Sequence, residues 1–195
     1  MFDVNKTVRL IKGALLEPQP TWQAYLPDSD DWKETAKDLT LPLIVGTLVL
    51  SLVLSSMFIG FYIFAPSFGL GGLLFGIVIG FVGFMITAFV LAWLAGAFKG
   101  TNDFDKAFAA VSLTAVPSYA GAVLGTLPWI GWLLSFGLMI YSLVLLYRII
   151  PDYLDVPQGS RAGHFICSLI ALLAVMLVIA GVFGVGMMGT IGGGV

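Results

Sequence analysis

The sequence predicts an all-α polytopic membrane protein with five transmembrane helices and an amphipathic N-terminal arm. Of its 195 residues, 59% are hydrophobic and only 10% are charged, whereas soluble domains carry about 25% charged residues. Long uncharged stretches alternate with short charged segments, and about 20 consecutive apolar residues suffice to cross the hydrocarbon core of a bilayer. All charged residues lie in three regions, residues 1–38, 99–106 and 148–161.

Residues 1–38 are predicted to form a cytoplasmic, interfacial arm. Apolar side chains recur at helical spacing near its start: Val4, Val8, Ile11 and Leu15. Three cations occupy other positions of the same helix: Lys6, Arg9 and Lys12. This pattern is typical of an amphipathic helix that lies in the membrane interface. Trp22 suits the headgroup region, and a helix beginning near Asp31 is expected to lead into the first span.

Five spans are predicted within a transmembrane domain over residues 39–187, followed by a glycine-rich tail over 188–195. The approximate bounds of the spans are 39–64, 71–98, 107–125, 130–150 and 165–186. The second span carries a row of small residues at every fourth position, interrupted once: Gly72, Gly76, Gly80, Ala88, Ala92 and Gly96. Small residues let another helix backbone approach closely. The second span is therefore predicted to be the central packing helix, with its row satisfied inside one bundle or in a homo-oligomer.

The distribution of basic residues predicts the topology. The arm holds five Lys and Arg residues, the second loop holds two and the fourth loop holds two, while the remaining loops hold none. Five spans place these three basic regions on one side of the membrane, and the positive-inside rule makes that side cytoplasmic. The expected arrangement has a cytoplasmic N-terminus and a C-terminus on the far side.

Several segments resemble those of the Yip-domain membrane proteins, and in particular their bacterial branch. Glu17-Pro18-Gln19-Pro20-Thr21-Trp22 is similar to a proline-then-Thr-Trp segment before the membrane. Asp38-Leu39-Thr40-Leu41-Pro42 is similar to an Asp-Leu-Tyr-Gly-Pro motif at the first span, with Thr40 and Leu41 in place of Tyr and Gly. The best match runs from Gly96 through Lys99-Gly100-Thr101 and Phe104 to Ala115-Val116-Pro117. Further similarity lies in Ile140-Tyr141-Ser142-Leu143, Tyr147, Val156-Pro157 and Arg161-Ala162.

The resemblance covers most of the chain and implies five spans with a cytoplasmic N-terminus. The family is named for its interaction with Ypt/Rab GTPases, and its eukaryotic members act in vesicle trafficking. For this chain it implies a multi-pass protein of the bacterial inner membrane.

Catalytic and transport chemistry find little support in the residues. Apart from Arg148 at the end of the fourth, no predicted span contains Asp, Glu, Lys, Arg or His, whereas proton-coupled transporters usually carry such groups in the membrane. The single histidine, His164, and the single cysteine, Cys167, rule out a multi-histidine metal site and an intrachain disulfide. No enzyme activity, cofactor, resident metal or nucleic-acid partner is expected.

Two sets of residues are candidates for contacts with other molecules. Candidate contacts to lipid headgroups or a cytoplasmic protein are Lys6, Arg9, Lys12, Trp22, Asp38, Lys99, Asp103, Arg148 and Arg161. Candidate groove residues in the third and fourth spans are Ser112, Pro117, Ser118, Tyr119, Tyr141 and Tyr147.

Three functions follow from these sets. The leading hypothesis is a non-enzymatic scaffold that organises the membrane or recruits a partner. The second is a small-solute permease or lipid-handling protein that uses a groove between the third and fourth spans. The third is a metal-dependent interfacial enzyme, because carboxylates are the ligands that hard divalent cations prefer. The carboxylates concerned are Asp38, Asp103, Asp105, Asp152 and Asp155.

Overall fold

The computed structural model describes residues 3–58 and 70–192, without the side chains of residues 70–72, 176 and 178–192. The structure is 87% helix, and the described residues contain no strand, which confirms the all-α fold class. The helices are α1 (Val4–Leu16), α2 (Pro18–Tyr25), a 3-10 turn (Leu26–Asp28), α3 (Trp32–Thr35), a π segment (Ala36–Thr40), α4 (Leu41–Met57), α5 (Leu70–Ala97), α6 (Phe104–Leu124), α7 (Gly131–Leu154) and α8 (Gln158–Gly192).

Five helices are long and apolar enough to cross a membrane, as predicted. They are Trp32–Met57, Leu73–Ala97, Phe104–Leu124, Gly131–Leu154 and Gln158–Val175. The chain is therefore a multi-pass membrane protein. The predicted end of the first span, residues 59–64, lies outside the described residues, as do residues 193–195 of the predicted tail.

Helix bounds agree with the sequence prediction just before the first span and differ from it in α7. The helix that leads into the first span begins at Trp32, as predicted, because the Asp31 side chain caps it by accepting the Lys33 N–H. Helix α7 continues through Pro151 because Tyr153 and Leu154 beyond it are fully buried. It ends at Asp155, whose φ of 50° is a left-handed helix stop.

Helix α8 begins at Gln158, seven residues before the predicted fifth span. Arg161 and His164 therefore lie inside a spanning helix. The prediction that the fifth span contains no Asp, Glu, Lys, Arg or His is wrong, because the predicted start at residue 165 excluded both groups. Both residues lie in the first two turns of α8, Arg161 partly exposed and His164 fully buried. The first, third and fourth spanning helices also extend beyond their predicted bounds and include charged residues near one end, such as Asp38, Asp105 and Asp152.

The centre of the bundle is α6 and not α5. Eleven of the 21 residues of α6 are buried, and it packs against the first spanning helix, α5, α7 and α1. Helix α5 turns large side chains outward, with Phe89 and Trp93 about 60% exposed (62% and 61%). Hydropathy cannot distinguish the two positions, since lipid tails are as apolar as a protein core.

The small residues of α5 lie in several environments. A Cβ at Gly80 would lie 3.3 Å from Ile44, and one at Gly76 would lie 3.4 Å from Leu48, so both glycines face α4. Ala88 and Ala92 are buried in the bundle. Gly96 faces Asn102 in the following loop. The surroundings of Gly72 lie outside the part of the chain that the structure describes.

Candidate functional site

One end of the bundle gathers the arm and two charged loops, and we call it the charged end. It comprises α1, α2, the α5–α6 loop and the α7–α8 loop. The N–H of Thr101 donates to the Leu154 carbonyl at 2.8 Å, which joins the α5–α6 loop to the end of α7. The Asp105 carboxylate accepts the Trp32 N–H at 2.9 Å and so caps the first spanning helix from α6.

Asp38 joins the arm to the first span through both its carboxylate and its carbonyl. Its carboxylate lies 3.1 Å from the Lys6 ammonium, and its carbonyl accepts a 2.6 Å hydrogen bond from the Thr7 hydroxyl. Pro42 has no N–H, so it cannot donate to the carbonyl four residues earlier, that of Asp38. Thr7 replaces that donor. Lys6, Thr7, Asp38 and Pro42 form what we call the Asp38 junction.

This geometry gives a physical reason for the Asp-Leu-x-x-Pro pattern. The proline frees a carbonyl on the same residue that carries the carboxylate, and two consecutive arm residues take one group each. The π segment that contains Asp38 widens the helix at this point, and such π-bulges are frequent at functional sites. Thr7 was not singled out from the sequence, although the four-residue spacing of Asp38 and Pro42 indicates that a donor is needed.

Lys6 and Tyr25 occupy a part-buried electrostatic environment. Burial lowers the pKa of Lys6, but the hydrogen bond and the charge of Asp38 raise it by more, so the net shift is upward. The ammonium also lies 3.5 Å from Asp28 and 5.6 Å from the centre of the Tyr25 ring. Burial raises the pKa of Tyr25, whose hydroxyl forms a buried 3.0 Å hydrogen bond with Thr35.

Two tyrosines of α7 hold the arm from the other side. Tyr141 donates to the Leu15 carbonyl at 3.3 Å, and Tyr153 donates to the Trp22 carbonyl at 2.7 Å. The Leu15 carbonyl lies in the last turn of α1, where intrahelical donors run out, whereas the Trp22 carbonyl also accepts the Leu26 N–H at the end of α2. Trp22 is itself buried, and its Nε1 has no partner in the described structure.

The two loops contact each other through the segments that resemble family motifs. A Cβ on Gly100 would collide with the Leu154 carbonyl and the Val156 side chain, so only glycine fits there. Thr101 donates to the Asp155 carboxylate at 2.9 Å. Lys99 is exposed and adopts a φ of 65°, and Asp103 caps α6 by accepting the Lys106 N–H at 3.1 Å.

The five interfacial carboxylates do not assemble. Asp38 pairs with Lys6, Asp103 and Asp105 cap helices, Asp155 accepts from Thr101, and Asp152 is exposed. Across residues 3–58 and 70–192, no group of three His, Cys, Asp or Glu side chains could hold a metal ion. The hypothesis of a metal-dependent enzyme lacks the geometry it needs.

A groove of about 690 Å³ runs between α1 and α2 on their outer side. Gly13 permits the close approach of the two helices, since a Cβ there would collide with the Thr21 side chain. Arg9 and Lys12 are exposed on the groove wall. Unlike Lys6, neither forms an ion pair with a described carboxylate.

A second cavity, of about 510 Å³, lies among α5, α6, α7 and α8 and is open to the outside of the bundle. Its walls are mainly apolar with a few hydroxyls: Thr87, Thr114, Ser118, Tyr119 and Ser142. Ser118 and Tyr119 were predicted groove residues, and both line it.

The other four predicted groove residues lie elsewhere. Ser112 hydrogen-bonds Thr40 of the π segment at 2.7 Å, and Tyr141 binds the arm. Pro117 is buried within α6, and the adjacent Ser118 N–H donates to the Ser142 hydroxyl at 2.8 Å. That cross-helix bond serves a backbone group next to the proline, as spanning helices require.

Tyr147 belongs to a contact line between α7 and α8, which we call the α7–α8 seam. Its ring lies 5.4 Å from the Arg161 guanidinium carbon and 5.4 Å from the Phe165 ring centre. The buried Arg161 Nε has no hydrogen-bond partner among the described residues. Arg148, the neighbouring cation on α7, is exposed.

The side of α8 that faces α5 carries two more buried polar groups. His164 is fully buried, and its Nε2 lies 3.0 Å from the Leu91 carbonyl. Its Nδ1 and the Ser168 hydroxyl have no partner within the described residues. Buried polar atoms without partners are uncommon in folded proteins.

A model of the Yip1 domain family matches residues 12–181. No curated protein and no solved structure matches the chain. The matched segment begins within α1 and ends within α8, and it includes Asp38, Pro42, the second cavity and the α7–α8 seam.

Proposed function

Because the chain belongs to the Yip1 domain family, we propose that it is a non-enzymatic membrane protein that recruits a cytoplasmic protein partner through the groove between α1 and α2. Domains of this family are generally not enzymes. They interact with Ypt/Rab GTPases or with membranes. The partner proposed for this chain is a protein segment with acidic and apolar side chains.

The observation that carries this proposal is the difference between Lys6 and its neighbours Arg9 and Lys12. Lys6 is paired with Asp38 and Asp28, whereas Arg9 and Lys12 are exposed and form no ion pair with a described carboxylate. Exposed apolar side chains flank them on the same groove, with Leu16 80% exposed. Basic and apolar groups together suit an acidic amphipathic segment.

Charge reversal of the groove tests the proposal. The variant Arg9→Glu/Lys12→Glu should lose a stoichiometric partner in crosslinking and affinity capture from native membranes. The matched control is Lys33→Glu/Lys37→Glu, which reverses two exposed cations outside the groove. Lys6 is left unchanged, because its substitution would disturb the Asp38 junction.

Three results would count against recruitment. Equal capture by the groove variant and the wild type would remove the role of the groove. Equal loss in the control would point to net charge and not to the groove. Loss of binding to anionic vesicles, with no protein partner affected, would make the groove a membrane-binding surface.

The proposal places the charged end in the cytoplasm. All nine Lys and Arg residues lie in residues 1–38, 99–106 and 148–161, and basic loops remain cytoplasmic. Alkaline phosphatase fused after Val195 should then be active in a bacterial host, and the same enzyme inserted after Pro157 should be inactive. The reverse pattern would put the groove on the wrong side for a cytoplasmic partner.

A second candidate function, the handling of a lipid, is supported by the cavity among α5, α6, α7 and α8. Its apolar lining suits a lipid better than a polar solute. Gly83→Leu should fill it, since no atom lies within 4 Å of a Cβ there. In proteoliposomes this variant should slow the movement of a fluorescent phospholipid, whereas the control Gly137→Leu, equally unobstructed but outside the cavity, should not. Vesicles in which wild type moves no lipid would remove this function.

A further inference from the structure

We propose that the α7–α8 seam binds one anionic glycerophospholipid, with its phosphate at Arg161 and one acyl chain in the cavity among α5, α6, α7 and α8. The proposal rests on the same cavity as the second candidate function and names its ligand. It concerns binding, so a lipid that is bound but not moved would uphold this site and remove that function.

The headgroup end of the site is the Arg161 guanidinium. Its position is held by the Tyr147 ring, 5.4 Å away, and it forms no ion pair with a described carboxylate. Its Nε is buried and has no hydrogen-bond partner in the described structure. A guanidinium is a planar donor that binds phosphate through paired hydrogen bonds.

The chain end of the site follows from helical spacing. On α8, Arg161, Phe165, Leu169 and Leu172 recur along one face. Leu169 and Leu172 line the cavity, as does Leu143, which lies one turn from Tyr147 on α7. One face of α8 therefore runs from the guanidinium, past the Tyr147–Phe165 ring pair, to the two leucines that line the cavity.

The dimensions of this path suit one phospholipid. From Arg161 to Leu172 is eleven residues, or about 16 Å along a helix, which is roughly half of a ~30 Å hydrocarbon core. The cavity volume of about 510 Å³ falls within the ~300–1,000 Å³ of ordinary ligand sites. A phospholipid in one leaflet is thus long enough to place its phosphate at Arg161 and its acyl chain in the cavity near Leu172 at the same time.

Native mass spectrometry of the full chain in detergent, with added phosphatidylglycerol, tests both ends. Arg161→Gln should lower the occupancy of phosphatidylglycerol about tenfold, since a charge-assisted contact is lost. The control Arg148→Gln removes an exposed arginine of α7 and should retain the lipid. Gly83→Leu should also release phosphatidylglycerol, because it blocks the acyl chain, whereas Gly137→Leu should retain it.

Two further measurements distinguish binding of the whole lipid from binding of its headgroup alone, and this site from the groove between α1 and α2. An excess of glycerol phosphate should not displace the bound lipid, because it lacks the chain. Arg9→Glu/Lys12→Glu should retain phosphatidylglycerol fully, because that groove is a different site. An equal loss of phosphatidylglycerol in Arg161→Gln and Arg148→Gln would overturn the proposal. Full retention of phosphatidylglycerol in Gly83→Leu would also overturn it, so the test does not depend on one variant. Displacement by glycerol phosphate would overturn it too.

Discussion

The Asp38 junction and the α7–α8 seam both bring polar groups together at the charged end, but only the junction satisfies them. At the junction, the carboxylate and the carbonyl of Asp38 each have a partner from α1. At the seam, Arg161 Nε has none among the described residues. Buried polar groups cost stability unless they are paired. The junction therefore stabilises the fold, while the seam leaves a buried donor unpaired that the proposed lipid would satisfy.

The largest expected effect is the loss of the Asp38 carboxylate. Asp38→Ala should lower the free energy of unfolding by about 2–3 kcal/mol, less than the ~3–5 kcal/mol of a fully buried pair, because the Lys6 side chain is 24% exposed. Thermal unfolding and protease cleavage of the arm measure the change. The control is Asp30→Ala, an exposed carboxylate nearby. If both variants melt together, the junction does not hold the arm.

The next effect isolates the carbonyl of Asp38. Thr7→Val should cost about 1–2 kcal/mol, because it leaves a buried carbonyl without a donor. Pro42→Ala should reverse most of this loss in the double variant, since it restores an N–H four residues after Asp38. The measurement is the unfolding midpoint of the four members of the cycle. Strict additivity of the two substitutions would contradict the link between Thr7 and Pro42.

Alkaline pH should weaken the same junction by a smaller amount. The pKa of Lys6 is raised above its ordinary value of 10.5 and that of Tyr25 above 10.0. Each contribution to stability is complete below the ordinary pKa and is lost as pH rises through the higher pKa of the folded state. The melting temperature of the wild type should therefore fall above about pH 10.

Two variants separate the contributions of Lys6 and Tyr25 to this loss of stability. The melting temperature of Lys6→Met should fall less at alkaline pH than that of the wild type, and the same comparison for Tyr25→Phe gives the contribution of the Tyr25 hydroxyl. A wild type and a Lys6→Met variant that lose stability in parallel across this range would show that Lys6 is not strongly coupled to Asp38.

The smallest expected effect belongs to Arg161. In lipid-free detergent, Arg161→Gln should change stability by no more than about 1 kcal/mol, the contribution of one cation–π contact. With phosphatidylglycerol present, the wild type should gain melting temperature and the variant should not. A loss in lipid-free detergent as large as that of Asp38→Ala would make Arg161 a structural residue and erase the contrast between the two regions.

The five spans could be predicted because a helix that crosses lipid must be apolar along its length. The position of each helix in the bundle could not. The row of small residues on α5 marked a helix that others approach, yet α6, with Ser112 and Pro117 in its middle, is the buried one. Polar hydroxyls in a span are a better indicator of the centre here, since they need partners on neighbouring helices.

The charged end was predictable in composition but not in pairing. Asp38 was recognised in its motif and Lys6 as one of three equivalent cations, but their contact joins α1 to the π segment. Only the structure separates Lys6 from Arg9 and Lys12. Arg161 and Tyr147 were placed in separate sets of candidates, because a cation–π contact between two helices leaves no pattern in one sequence.

The hold of α7 on the arm also has a consequence for the order of synthesis. Leu15 and Trp22 precede their partners Tyr141 and Tyr153 by 126 and 131 residues, whereas Thr7 precedes Asp38 by only 31. At about 5–20 residues per second, the ribosome needs roughly 7–25 seconds to supply the two tyrosines. The contact between the arm and the first spanning helix can therefore form early in synthesis. The contacts between the arm and α7 can form only after the fourth span has been made.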